Sequence, residues 1–162
     1  MIISHEHKFI YRFSSRSGST AFLTEVMVAN IAETPDALWV LKAMVAVAAS
    51  DGQLDSREIG LIQHVYRDQS GRSPTVTEIA TVAEATAKGD AMAEFSAAAK
   101  VLDQATKEEM IKGAYLVLLA DDRIAGEERK KLKDIAAALQ ISEIHFGAIF
   151  EDLAISLAKA RS

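Results

Sequence analysis

The chain has 162 residues, a length that fits one domain with its own hydrophobic core. Hydrophobic residues make up 49% of it and aromatic residues only 6%, and its richness in alanine, leucine, glutamate and lysine favours packed helices over strands. The formal net charge of -5 argues against nucleic acid as a direct partner, and the absence of cysteine excludes disulfides and thiolate chemistry.

The first 19 residues are predicted to be a leader segment that precedes a helical domain over residues 20–162. Residues 14–19 are rich in serine and glycine, a composition typical of a flexible connection. His5 and His7 would share one face of an extended strand and could hold zinc, but an incidental pair in a flexible terminus is the simpler explanation. Because the chain also shows no secretory signal and no apolar run of the about 20 residues that span a bilayer, we expect a cytoplasmic protein without a membrane span.

Helical spacing of apolar residues and helix-start signals predict an all-α, single-domain bundle of about seven helices. A moderately periodic segment at residues 20–33 precedes seven clearer ones. These seven are predicted to begin near Pro35, Asp55, Pro74, Ala91, Thr106, Glu127 and Ser142. The segments at residues 35–49 and 110–120 are apolar on nearly every side, which predicts that both lie at the centre of the bundle.

Several polar residues have the spacing of helix caps. Asp55 with Glu58, and Thr106 with Glu109, match the capping-box pattern, in which each side chain bonds the other residue's backbone amide. Ser142 is predicted to cap the last helix.

An internal repeat appears when the chain is displaced by 70 positions, from Asp51 to Asp121. Between residues 36–70 and 106–140 four pairs of positions are then identical: Lys42 and Lys112, Val47 and Val117, Asp51 and Asp121, Glu58 and Glu128. Both copies have the same order of features, namely a buried helix, an acidic turn and an amphipathic helix. Each copy alone would leave an apolar face uncovered, so we expect two helix-turn-helix units related by a pseudo-twofold axis.

The acidic turn at residues 48–58, AASDGQLDSRE, resembles the TerB-like family of tellurite-resistance proteins, whose members carry the element A-x-x-D-G-x-[VIL]-D-x-x-E. Residues 118–128 resemble the second half of that family. The resemblance implies an all-helical cytoplasmic domain, without catalytic activity, that takes part in a tellurite or general stress response. It also implies that acidic residues bind divalent cations.

The candidate metal ligands are the carboxylates of the two turns, which the predicted pairing of the halves would bring together. They are Asp51, Asp55, Glu58, Asp121, Asp122 and Glu128. Oxygen ligands suit hard cations, and calcium, magnesium, manganese and zinc are all candidates. The second turn has Asp122 where the first has Gly52, and Ala125 where the first has Asp55, so a full acidic set is present only in the first turn.

Ordinary structural roles compete with metal binding at these positions. Capping and the positive end of a helix dipole explain Asp55 and Glu58 without any cation. Asp51 and Asp121 follow long apolar helices, where the dipole disfavours a carboxylate, so either a local turn hydrogen bond or a cation must compensate.

Two function classes therefore stand side by side. The first is a TerB-like, cation-binding or cation-responsive module. The second is a protein-interaction scaffold whose acidic turns only cap helices. In either case we expect a protein partner in a stress-response complex, and self-association as a homodimer stays open. An enzyme is not expected, since no phosphate-binding loop, nucleophile elbow or paired His/Asp arrangement is found.

Overall fold

A computed structural model describes residues 35–121 and 126–160, and within these ranges the chain is all helical, with no strand. The seven α-helices are α1 (Pro35–Ala48), α2 (Ser56–Ser70), α3 (Val76–Lys88), α4 (Ala91–Ala98), α5 (Gln104–Ala120), α6 (Gly126–Ala138) and α7 (Glu143–Ala160). A short 3-10 helix, Ala49–Asp51, follows α1. The all-α prediction is confirmed. The predicted leader, the helix at 20–33 and Asp122 lie outside the described residues.

The two helices predicted to be central, α1 and α5, pack directly against each other along more of their length than any other pair. Between positions 40 and 48 of α1 every side chain is buried except Lys42, which is half-buried. Gly113 of α5 lies at this contact, and a Cβ atom there would lie 2.6 Å from Met44 Cε and 2.8 Å from Gln69 Oε1. A larger residue would therefore require these two side chains to move.

The other helices surround this pair. Helix α2 packs against both, α3 packs against α1, and α6 contacts α1, α4 and α5. Helix α7 is attached to α5 through aromatic side chains, with Phe150 stacked on Tyr115 at 4.2 Å between ring centroids and in edge contact with Phe146 at 4.3 Å. Within the described ranges, no helix is long and apolar enough to cross a membrane.

Helix starts follow local capping chemistry, and one predicted cap is wrong. The Asp55–Glu58 capping box is present, and the Ser142 hydroxyl accepts a hydrogen bond from the His145 amide at the start of α7. Helix α5, however, begins one turn earlier than predicted, because the Asp103 side chain accepts a hydrogen bond from the Thr106 amide. Thr106 is thus buried within the first turn and caps nothing.

Two further boundaries in the middle of the chain differ from the prediction. Helix α3 starts after a capping box formed by Thr75 and Glu78, so Pro74 precedes the helix. Helix α4 ends at Ala98, whereas the alanine-rich pattern predicts a helix from Ala91 to Leu102. The short α4 leaves room for a turn that leads into α5.

Candidate metal centre

The first acidic turn begins where α1 tightens into the 3-10 helix and Gly52 reverses the chain. Gly52 has a φ of +121°, a conformation that glycine adopts without strain. Asp55 then caps α2, its Oδ1 accepting hydrogen bonds from the Arg57 and Glu58 amides at 2.8 Å each. The Glu58 carboxylate returns the bond, with Oε2 2.7 Å from the Asp55 amide nitrogen. The capping box thereby holds Glu58 in a single orientation.

The second acidic turn lies at the end of α5. Asp121 is the residue at which α5 ends, and its amide still donates to the Val117 carbonyl at 3.2 Å. Its side chain is buried, with only 5% of the residue exposed. Glu128 lies in the first turn of α6 and is also buried, at 8% exposure.

Three carboxylates from the two turns meet beneath the surface. Glu58, Asp121 and Glu128 each offer one oxygen, and these three oxygens all lie within 4.8 Å of one another. Two oxygens that bind one Ca²⁺ at roughly 2.4 Å can be no more than about 4.8 Å apart. The three oxygens therefore meet this pairwise distance limit for a single cation of that size.

Helix dipoles and one arginine act on the charges of the cluster. Glu58 and Glu128 lie in the first turns of α2 and α6, where the helix dipoles favour negative charge. Asp121 lies at the opposite, unfavourable end of α5, and its Oδ1 is 3.4 Å from the Arg57 guanidinium. Even so, burial raises the pKa of Glu58 above its ordinary value.

The causes of that raised pKa show which charges surround Glu58. Burial is the largest cause, and the hydrogen bond from the Asp55 amide acts in the opposite direction. The negative charges of Asp55, Asp51 and Glu128 raise the pKa further, in that order. The ionised form of Glu58 is therefore destabilised by desolvation and by like charge, two effects that a bound cation would oppose.

The structure divides the six predicted ligands into groups. Glu58, Asp121 and Glu128 come together as described. Asp51 and Asp55 have exposed side chains; Asp55 acts as a helix cap, and both lie close enough to Glu58 to affect its pKa. Asp122 is outside the described residues.

Arg57 also lies beside the carboxylates, although nothing in the sequence pattern predicted it there. Its place one residue before Glu58 made it look like an ordinary exposed residue of α2, and 44% of its side chain is indeed exposed. Only the packing of α2 against the end of α5 brings the guanidinium to Asp121.

The two described histidines lie in other parts of the molecule. His64 is exposed on α2, with Nε2 3.4 Å from Asp68 Oδ2. His145 of α7 has Nε2 2.9 Å from Glu108 Oε1 of α5, so it links these two helices.

No family model, curated protein or solved structure matches this chain. The resemblance to TerB-like proteins therefore stays a prediction from the two acidic turns.

Proposed function

We propose that the chain is a TerB-like, non-enzymatic module that binds a divalent cation between its two acidic turns. The observation that carries the proposal is the convergence of three buried carboxylates, Glu58, Asp121 and Glu128, from helices far apart in the chain. If these carboxylates served only as helix caps, each would be explained by its own helix, and nothing would require them to cluster in the interior.

Burying like charges close together has a cost in free energy. Bringing carboxylates out of water and close to one another is unfavourable unless opposite charge compensates. The partly exposed Arg57 guanidinium faces Asp121 and supplies one positive charge. A divalent cation supplies two positive charges at the place where the carboxylates meet.

The donor set narrows the choice of ion. All three candidate ligands are carboxylates, which hard cations such as Ca²⁺, Mg²⁺ and Mn²⁺ prefer, whereas zinc is more often held by histidine and cysteine. Water would complete the coordination shell. We therefore propose Ca²⁺, Mg²⁺ or Mn²⁺ as the bound ion, selected by ligand type and metal availability rather than by affinity over Zn²⁺.

The test is calorimetric titration of the full chain with each of the four ions, on wild type, Glu128→Gln and Glu127→Gln. The two glutamates are neighbours on α6, but only Glu128 is buried, so Glu127→Gln is a matched control for loss of one charge. We expect Glu128→Gln to weaken binding at least tenfold and Glu127→Gln to leave it within about twofold, since one charge-assisted contact contributes roughly 1.5–3 kcal/mol. The absence of saturable binding of any of the four ions to wild type at millimolar concentration would refute the proposal.

The scaffold alternative is supported by two observations. The capping box accounts for Asp55, and the ion pair with Arg57 gives Asp121 a partner within the protein. If the acidic turns are only structural, adding cations leaves the thermal midpoint unchanged and a protein partner stays bound in the presence of a chelator.

The place of the module in a tellurite or stress response, in the cytoplasm and with a protein partner, is proposed from the TerB-like resemblance. Its test is growth on tellurite of cells that depend on the wild-type chain or on Glu128→Gln. Equal survival with equal protein levels would separate cation binding from that response.

A further inference from the structure

A second feature is a cleft of about 790 Å³ that borders the 3-10 helix and opens to the surface. Its walls come from the end of α1, the turn that follows it, and helices α2, α3, α4 and α6. Small-molecule sites have volumes of roughly 300–1,000 Å³, so the cleft is large enough for a metabolite-sized ligand.

The residues that line the cleft are predominantly apolar, and small residues among them account for its volume. Helix α3 contributes alanines at positions 80, 83 and 87, whose short side chains leave the space open. Leu54, Ile59 and Met92 add larger aliphatic surfaces. Such a surface favours a ligand with an aliphatic body.

Three charged side chains also line the cleft, and two of them already have partners. Glu84 forms an ion pair with Lys88, and Asp90 accepts a hydrogen bond from the Ala93 amide at 3.0 Å as the cap of α4. Lys131 of α6 is half-buried, and it takes part in no ion pair with any residue of the described ranges. Its neighbour Lys130, by contrast, pairs with Asp134 and is 80% exposed.

Two hydroxyl groups in the walls are also unsatisfied. Ser50 Oγ and Thr86 Oγ1 are buried and have no hydrogen-bond partner in the part of the chain that the structure describes. A buried hydroxyl without a partner costs free energy. Both oxygens are covered by neighbouring atoms, so contact with a ligand would require rotation about χ1.

We propose that this cleft binds a small anionic amphiphile, namely a short-chain aliphatic carboxylate. The carboxylate pairs with the Lys131 ammonium, and the aliphatic chain packs against Leu54, Ile59 and Met92. The charge complementarity rests on Lys131, the lining cation, which has no side-chain partner among the described residues. This inference is independent of cation binding by the acidic turns.

The experiment uses octanoate as the probe, titrated into the full chain in the presence of a chelator and followed by calorimetry and by amide NMR shifts. Octanol and octyltrimethylammonium serve as neutral and cationic ligands of the same chain length. We expect saturable octanoate binding with shifts at the cleft residues, and binding of the other two at least tenfold weaker, as expected for loss of one charge-assisted contact.

Variants locate the site. Lys131→Met keeps the aliphatic stem and removes the charge, so it is expected to weaken octanoate about tenfold to a hundredfold, whereas Lys130→Met is expected to change nothing. Ala87→Trp, at an exposed position of α3, fills the cleft and is expected to abolish binding while the thermal midpoint is retained.

Four outcomes would overturn the inference. They are no saturable octanoate binding to wild type, equal or tighter binding of octanol or the ammonium probe, equal loss in Lys130→Met and Lys131→Met, and binding that survives in folded Ala87→Trp.

Discussion

The two acidic turns share an aspartate and a glutamate at equivalent positions of the predicted repeat, but the fold places the two aspartates differently. Asp51 and Asp121 occupy equivalent positions of the repeat, yet Asp51 is exposed and Asp121 is buried. After α1 the chain continues into a 3-10 helix that contains Asp51, whereas Asp121 is the extended residue directly after the last residue of α5. The two aspartates thus differ in exposure and in backbone conformation.

The glutamates of the two turns behave alike. Glu58 and Glu128 both lie in the first turn of the helix that follows, and both point into the protein. The regular helix fixes the direction of each glutamate side chain, so this direction depends less on the shape of the preceding turn. Together with Asp121 they form one cluster, which fits a single site shared by both turns better than two equivalent sites.

The sharpest test of this comparison exchanges each aspartate for asparagine. We expect Asp121→Asn to weaken cation binding about tenfold to a hundredfold, because it removes one charge-assisted contact to the cation, which contributes roughly 1.5–3 kcal/mol. Asp51→Asn, at an exposed position, is expected to change affinity by no more than about threefold, and calorimetric titration measures both. Equal losses in the two variants would mean that the turns contribute symmetrically.

Helix α5 also carries a largely buried carboxylate, Glu109, outside the cluster. Burial raises the pKa of Glu109 to about 7, against the opposing effect of Lys112, and Glu109 Oε2 has no hydrogen-bond partner within the described ranges. A raised folded-state pKa means that the stability contribution is complete below the ordinary value of 4.5 and is lost as pH rises through about 7.

We therefore expect Glu109→Gln to be more stable than wild type at pH 8 by about 1–2 kcal/mol, after allowance for partial exposure, and equal to it at pH 4. Urea unfolding at the two pH values measures the difference, with the exposed Glu151→Gln as control. Unlike changes in the acidic cluster, this one should not alter cation binding. A destabilised variant at pH 8 would show that the ionised carboxylate is better compensated than its surroundings indicate.

The smallest expected effect separates capping from metal binding within the first turn. Asp55→Ala removes the α2 cap and is expected to lower the free energy of unfolding by about 1 kcal/mol, whereas Asp55→Asn retains a capping oxygen and should cost only a few tenths. Cation affinity should stay within about threefold of wild type in both, as measured by calorimetry. A tenfold loss in Asp55→Asn would instead make Asp55 a ligand.

Much of the helical architecture follows from local sequence signals. The apolar circumference of α1 and α5 correctly indicated that they are central, and the Asp55–Glu58 spacing correctly indicated a capping box. The start of α5 was misplaced because Asp103 and Thr106 are both good cap residues three positions apart, and Glu109 completes the pattern for the second. Spacing alone does not choose between two such overlapping caps.

The repeat predicted that carboxylates from the two turns would lie close together, but it did not predict which of the six would do so. Whether Asp51 points toward Asp121 or into solvent depends on the 3-10 helix and on how α2 packs against α5, and the same packing brings Arg57 to Asp121. The cleft above α3 was not predicted at all, since small residues leave a space only where neighbouring helices stop short of filling it.

The sequence by itself determined the helices, their central pair and the acidic character of both turns, because capping and apolar periodicity act between residues a few positions apart. Only the tertiary structure decided that Glu58, Asp121 and Glu128 meet while Asp51 and Asp55 face solvent, and that Lys131 borders an apolar cleft. Those arrangements depend on contacts between helices distant in the chain, and the sequence pattern of one helix does not contain the positions of the others.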